Sequence, residues 1–159
     1  MPGKFVLRLL YLVSHPIQYQ APLLRLIASD EDIQLTVLFE HMGSTRAQYD
    51  QGFETEFSWD TNLTDGYTHK VVTSSMEVED NLRETDVFWV HGWDTWMKRR
   101  ALSAAWQLGV PVLMRGENTL NAMPDGPHVC GVLKRAYLKR IFRQCSGFLC
   151  IGSDNCAYY

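Results

Sequence analysis

No apolar run among the 159 residues approaches the roughly 20 needed to span a bilayer as a helix. The N-terminal stretch Phe5 to Val13 is interrupted by Arg8, and the Ser14-His15-Pro16 that follows offers no small-x-small cleavage site, so it does not read as a secretory signal. Cysteine is scarce. The four present, Cys130, Cys145, Cys150 and Cys156, form no C-x-x-C and have no paired histidine spacing, which argues against zinc and leaves the expectation of no metal, with reduced, buried thiols in a cytoplasmic protein. Basic charge is not in excess. With 15 Lys and Arg against 18 Asp and Glu, a net charge of -3 argues against a globally basic nucleic-acid binder. Repeats and low-complexity tracts are absent. What remains, 46% hydrophobic and 21% charged, is the composition of one globular domain.

The charge is unevenly spread. Asp30 to Asp86 carries 14 acidic and 3 basic side chains, whereas His128 to Tyr159 carries 5 basic and 1 acidic. Such segregation points to surfaces with different partners or to solvated faces alone.

Phe5 to Val13 reads as a strand covered on both faces, stopped by Pro16. A helix is expected from Pro22 to Ser29 with Leu23, Leu24, Leu26 and Ile27 facing the core, then a polar turn at Asp30-Glu31-Asp32 and a strand from Ile33 to Phe39. Gly43 to Thr64 has no sustained period and reads as a long surface loop carrying Tyr49, Phe53, Phe57 and Trp59. Further strands are expected at Tyr67 to Val72, Val87 to His91, Val112 to Met114 and Phe148 to Ile151. Helices are expected at Glu77 to Glu84, Thr95 to Leu108 and Cys130 to Gln144. The alternation predicts an α/β, Rossmann-like domain: an open, mostly parallel sheet with helices on both faces.

In such sheets ligands bind beyond the carboxyl ends of the strands. Ser14, His15 and Gln18 follow the first strand, and His91, Gly92 and Trp93 close the strand at Val87 to His91. Arg115, Gly116, Glu117 and Asn118 follow the strand at Val112, and Gly152 and Ser153 follow the last one. The turn after the first strand, SHPIQYQAP, has no glycine, so neither a G-x-G-x-x-G dinucleotide site nor a P-loop can form there.

His15 and His91 are candidates for ligand hydrogen bonding or general base work near neutral pH, against the plainer reading of half-buried histidines bonded to loop carbonyls. Arg115 and Glu117 could grip a polyol or phosphate, or close the loop as an internal ion pair. Asp30 and Asp32 formally make a D-x-D, but at the edge away from the expected site. On the helix at Cys130 to Gln144, Arg135, Lys139, Arg140 and Arg143 share one face and Leu133, Tyr137, Leu138, Ile141 and Cys145 the other. That helix could meet an anionic membrane or carry a solvated face over a core stripe.

Taken together, YLVSHPIQYQAPLLRLIA, YDQGFETEFSWDTNLTDGY, VFWVHGW, PVLMRGENT and LKRAYLKRIFRQCSGFLCIGSDNCAYY resemble the N-terminal domain of GT-B-fold glycosyltransferases of family four. The resemblance implies two Rossmann-like domains facing across a cleft, one holding the sugar acceptor and the other a nucleotide-sugar. It implies transfer with retention, without a metal, the nucleotide-sugar being co-substrate rather than cofactor.

By position it places Ser14 to Gln18 near donor phosphate and acceptor. His91 matches the second histidine of the family's D-x-x-H-x-H, with Asp86 at its start and Trp89 replacing the first histidine. Glu117 stands in the loop where many members carry an acceptor-contacting histidine. His91 and Glu117 are then the expected catalytic pair, and Ser14, His15, Gln18, Gly92, Trp93, Arg115, Asn118 and Ser153 the substrate-binding set. The family's donor motif, two glutamates separated by seven residues, does not occur. The expectation is therefore residues 1 to 159 as a single, cytoplasmic acceptor-side domain, completed by a donor-binding domain in cis or in trans, with contact at the inner face of the membrane left open. The alternative is a non-catalytic binding or membrane-docking module reusing the fold.

Overall fold

The computed structural model describes residues 4–43, 48–50, 55–57, 62–119 and 129–159. In chain order the strands are β1 (Leu7–Val13), β2 (Ile33–Phe39), β3 (Gln48–Asp50), β4 (Thr55–Phe57), β5 (Thr68–Val71), β6 (Val87–His91), β7 (Val112–Arg115) and β8 (Gly147–Phe148). The helices are α1 (Ala21–Ala28), α2 (Ser75–Leu82), α3 (Trp96–Leu108), α4 (Val129–Phe142) and α5 (Ser153–Tyr158). Six strands form one all-parallel sheet in the order β5-β2-β1-β6-β7-β8. That is the doubly wound order, with the chain progressing one way from β1 and the other way from β6.

The expected irregular loop contains a short antiparallel hairpin, β3 with β4. Its three-residue strands are too brief for a period to register in the sequence. Phe53 and Trp59 of that loop lie outside the described residues, as do the side chains of Tyr49, Phe57 and Cys130.

Right-handed crossovers put α2, α3 and α4 on one face of the sheet and α1 on the other. Alternate residues of each strand follow suit. Leu10, Leu12, Phe88, Val90 and Met114 pack with Val78 and Leu82 of α2, Ala101 and Leu102 of α3, and Ile141 of α4. Tyr11, Val13, Val37, Phe39 and Trp89 pack with Leu24 of α1. Helix limits follow capping chemistry. The Thr95 hydroxyl accepts from the Lys98 amide to start α3, and Gly109, at φ 70°, ends it in the left-handed region. At the amino edge, Arg8 donates from its backbone and guanidinium to Asp86, at 2.7 to 3.1 Å, tying β1 to the start of β6 and holding the Asp86 carboxyl at about 2.

Two expected core stripes are narrower than the sequence implies. In α1, Leu24 is buried and Ile27 half-buried, but Leu23 and Leu26 are exposed. At about 100° per residue Leu26 points away from the sheet and Leu23 to its side. Leu23 instead borders a groove of about 420 Å³ over Leu9, Trp89, Leu113 and Ile151. In α4, Leu138 and Ile141 are buried and Cys145 half-buried, whereas Leu133 and Tyr137 face solvent. The expected buried thiols are also corrected: Cys150 is exposed because β8 ends at Phe148, and Cys156 is exposed on α5. Leu24→Ala is expected to cost about 2–5 kcal/mol and Leu26→Ala no more than about 0.5 kcal/mol, measured by urea unfolding of the two variants.

Candidate functional site

With every strand of the main sheet parallel, all carboxyl ends share one edge. Val13 leads into Ser14 to Gln18, His91 into Gly92 and Trp93, and Arg115 into Gly116 to Asn118. His91 and Arg115 are register partners across β6 and β7. The edge over β1 and β6 is the topological switch point, where the loops diverge and leave a crevice. His15, His91 and Glu117 therefore stand on the same edge of the sheet, as expected. Gly92 makes the sharp exit from β6 at φ 79°, its N–H donating to the Arg115 carbonyl at 2.7 Å. A Cβ there would meet Asp94 Oδ1 at 2.9 Å.

A buried polar link spans the switch point. The Tyr11 hydroxyl donates to Gln20 Oε1 at 2.6 Å, and Gln20 Nε2 lies 2.9 Å from His91 Nδ1, with the Tyr11 oxygen 3.0 Å from the same nitrogen. An amide nitrogen only donates, so His91 Nδ1 accepts and the ring proton sits on Nε2. Burial, then the charges of Lys98 and Arg115, lower the His91 pKa to about 4, so the ring is neutral at pH 7. His91 is thereby a fixed Nε2–H donor. Of the two functional roles open from sequence, hydrogen bonding is the one this geometry favours. Burial also raises Tyr11 far above the usual phenol range, keeping its proton in place.

Lys98, 2% exposed, is the buried cation of the site. Its ammonium donates to Asp94 at 2.8 Å, and its charge depresses both His91 and His15. Thr95 donates to Glu40 at 2.6 Å, joining the start of α3 to the end of β2. His15 Nδ1 lies 2.9 Å from the Ser14 hydroxyl, and its ring stacks on His41 with centroids 5.4 Å apart. Burial comes first among the causes that lower the His15 pKa, followed by His41 and Lys98. Glu117 accepts from the Tyr19 hydroxyl. Arg115 and Glu117 make no ion pair with each other, and Arg115 Nε is buried without a hydrogen-bond partner. Asn155 of α5 donates to the carbonyls of Gly116 and Asn118 at 2.8 and 2.7 Å, fixing the loop that carries Glu117.

Some expected residues stand apart. Gln18 is exposed on its turn, and Gln20, two residues on, makes the buried contacts instead. Trp93 packs toward the core under α3, and its indole N–H is buried without a partner. Ser153 is exposed at the start of α5. Asp86 lies at the opposite end of β6, bound to Arg8, and belongs to the amino edge. Among the described residues no group of three His, Cys, Asp or Glu side chains could hold a metal.

The sequence reading missed Tyr11, Tyr19, Gln20, His41 and Lys98. Lys98 carried a signal, because it shares the helical stripe of Ala101, Leu102 and Ala105, where a charge is out of place. Tyr11 and Gln20 carried none: a strand tyrosine and a glutamine beside a helix start are common.

No family model and no curated protein matches this chain. Among solved structures it is similar to one assigned as a UDP-N-acetylglucosamine 2-epimerase from Listeria monocytogenes, with a TM-score of 0.53 and 11% identity. The match covers 96% of this chain and 41% of that one, so the chain spans less than half the length of the epimerase structure. Two further structures align less well. A molybdenum cofactor binding protein from Rippkaea orientalis gives a TM-score of 0.46 at 9% identity, covering 98% of this chain and 95% of that one. One assigned as an oxidoreductase from Parabacteroides merdae gives 0.40 at 16%, covering 92% and 31%. Together with the strand order, the epimerase likeness establishes the fold: a Rossmann-like α/β domain.

Between pH 6.5 and about 4 the unfolded chain binds a proton at His91 that the folded chain does not, so stability falls as pH is lowered through that window. His15 contributes in the same direction. His91→Gln is expected to flatten the loss without abolishing it, measured as the urea midpoint against pH. In long-range proton–nitrogen spectra at pH 7, His91 of the native chain should show the Nε2-protonated pattern.

Proposed function

We propose that this chain is the acceptor-binding, N-terminal half of a GT-B glycosyltransferase, working with a donor-binding domain supplied in cis or in trans. The observation that carries the reading is the neutral, rigidly held Nε2–H donor of His91 at the switch point, flanked by Lys98 and Arg115. A site that moves sugars needs donors and acceptors of fixed direction for hydroxyls, and positive charge for a departing phosphate. His91 supplies the donor, and Glu117, oriented by Tyr19, supplies a carboxylate acceptor. Lys98 and Arg115 supply the charge, and Ser14, His15 and Asn118 complete the rim. The sequence resemblance and the fold support the same reading.

In the proposed reaction the acceptor oxygen replaces the nucleotide diphosphate at the anomeric carbon with retention. The acceptor's proton leaves on the departing diphosphate. Holding the two substrates in near-attack geometry is the larger part of such catalysis, and this half holds only one of them. The turn after β1 also has no glycine to let backbone approach a diphosphate closely.

The purified chain is therefore expected to transfer no sugar from UDP-N-acetylglucosamine, UDP-glucose or GDP-mannose. Fusion to a donor-binding domain should restore transfer, and His91→Ala in the fusion should lower turnover roughly tenfold, the worth of one well-placed hydrogen bond. Turnover by the chain alone, in proportion to its concentration, overturns the reading. The second reading is a non-catalytic binding module that reuses the fold. It predicts saccharide-induced shifts at His91 and Glu117 with no transfer in any fusion.

A further inference from the structure

Two of the four thiols stand together at the surface. Cys150 and Cys156 are both exposed, and the Cys150 S–H is hydrogen-bonded to the Cys156 sulfur. The backbone brings them together independently of that bond. Cys150 follows the end of β8, and Cys156 lies in the middle of α5. Between them the Ile151 N–H donates to Asn155 Oδ1 at 3.1 Å, and the Cys156 N–H to the Gly152 carbonyl at 2.9 Å. The inner neighbours of the two cysteines are thus fastened to one another, and the thiols emerge side by side.

The other face of this turn holds the candidate site. Asn155, 2% exposed, donates to the carbonyls of Gly116 and Asn118, which flank Glu117. With six residues α5 is too short to persist as an isolated helix, so its place depends on Asn155 and on the packing of Tyr158 and Tyr159 against Phe142. Cys145 is a different kind of thiol. It is half-buried, donates to the Ile141 carbonyl at 3.9 Å, and is pushed up to about 12 by burial, so it stays protonated and inert.

We propose that Cys150 and Cys156 form a dithiol redox site, closed to an intramolecular disulfide by exchange with a small disulfide such as glutathione disulfide and reopened by a reduced thiol. The Cys156 thiolate attacks one sulfur of the glutathione disulfide, and one glutathione leaves as its thiolate. Cys150 then gives up its proton and attacks the Cys156 sulfur of the mixed disulfide, releasing the second glutathione. The two cysteine protons end on the two glutathiones, and the two electrons lost by the cysteines reduce the oxidant. Desolvation first, and then the adjoining Cys156 thiol, raise the Cys150 pKa, which suits Cys150 to the second step, where its target is already in contact. The bridge would enclose only five residues at an exposed position, open to attack by reducing thiols, so the closure is reversible. Closed, it holds Ile151 and Asn155 against each other and steadies the grip of Asn155 on the Glu117 loop. The site stands on the thiol geometry and is independent of what the cleft binds.

The test uses the whole chain, reduced and then exposed to glutathione disulfide. Titratable thiols in the unfolded chain should fall from four to two. Digestion with chymotrypsin and Asp-N protease, which cut after Phe148 and before Asp154, should show one bridge, Cys150 to Cys156. In the reduced, folded chain phenylarsine oxide, held tightly only where two thiols meet, should remove the same two from titration. Cys150→Ser and Cys156→Ser should each abolish bridge and capture and leave a lasting mixed disulfide on the remaining cysteine. Cys130→Ser and Cys145→Ser should leave both unchanged, with circular dichroism to check that every variant folds. The Asn155 side-chain amide resonances should shift on oxidation and return with dithiothreitol; if they do not move, the link to the Glu117 loop is overturned. A mixed disulfide that accumulates on the native chain without closing overturns the site itself. So does a bridge to Cys130 or Cys145, or arsenical capture that survives loss of either exposed thiol.

Discussion

The parallel pairing of β1 with β6 is the constraint on which the rest of the molecule depends. These two strands are not consecutive in the chain, yet Leu9 to Leu12 stand in register against Val87 to Val90 at the centre of the sheet. The chain runs outward from them in opposite directions, so the loops at their carboxyl ends part and a crevice opens. At the opposite end Arg8 and Asp86 fasten the same two strands by four hydrogen bonds, one of them from the Asp86 N–H to the Arg8 carbonyl. The seam is thus clamped at one end and open as a crevice at the other. Between the two lie Tyr11 and Trp89, stacked at 3.9 Å on the α1 face.

The Tyr11–Gln20–His91 link converts that pairing into chemistry. Tyr11 is in the β1 wall, Gln20 begins α1, and His91 is the last residue of β6. Tyr11 donates to Gln20 and Gln20 donates to His91 Nδ1, a relay across the switch point. Burying a tyrosine hydroxyl, an amide and an imidazole costs free energy unless each finds a partner, and here each partner is one of the other two. The arrangement defines the direction of the one imidazole proton left over. Burial is the first cause that lowers the His91 and His15 pKa values, and the buried Lys98 of α3, paired with Asp94, adds to it. A neutral imidazole beside a buried ammonium suits ligand oxygens better than proton abstraction.

The outer helical layer obeys a looser rule. The centre of the sheet dictates what α3 must bury, whereas β8 has two residues and dictates little of α4. Apolar side chains that the core does not claim remain on the surface, beside the cations of the basic C-terminal region. The amphipathic pattern of α4 is therefore set by a small buried stripe of Leu138 and Ile141, and the other described residues of the helix meet solvent.

The sequence by itself determined the class of fold, because apolar runs, polar turns and capping residues such as Thr95 and Gly109 act locally and are legible in order. It determined the edge as well, since parallel strands must end together, and with it His15, His91, Arg115 and Glu117 as candidates. Tertiary structure alone decided which polar groups meet. Gln20 rather than Gln18 faces inward because only Gln20 can reach both Tyr11 and His91, a fact about residues 71 and 80 positions apart that no local pattern encodes. It likewise decided that Asp86 serves the amino edge and that Leu26, Leu133 and Tyr137 are exposed. Periodicity gives the direction a side chain takes from its own helix. Whether anything stands there to cover it depends on the breadth of the sheet beneath.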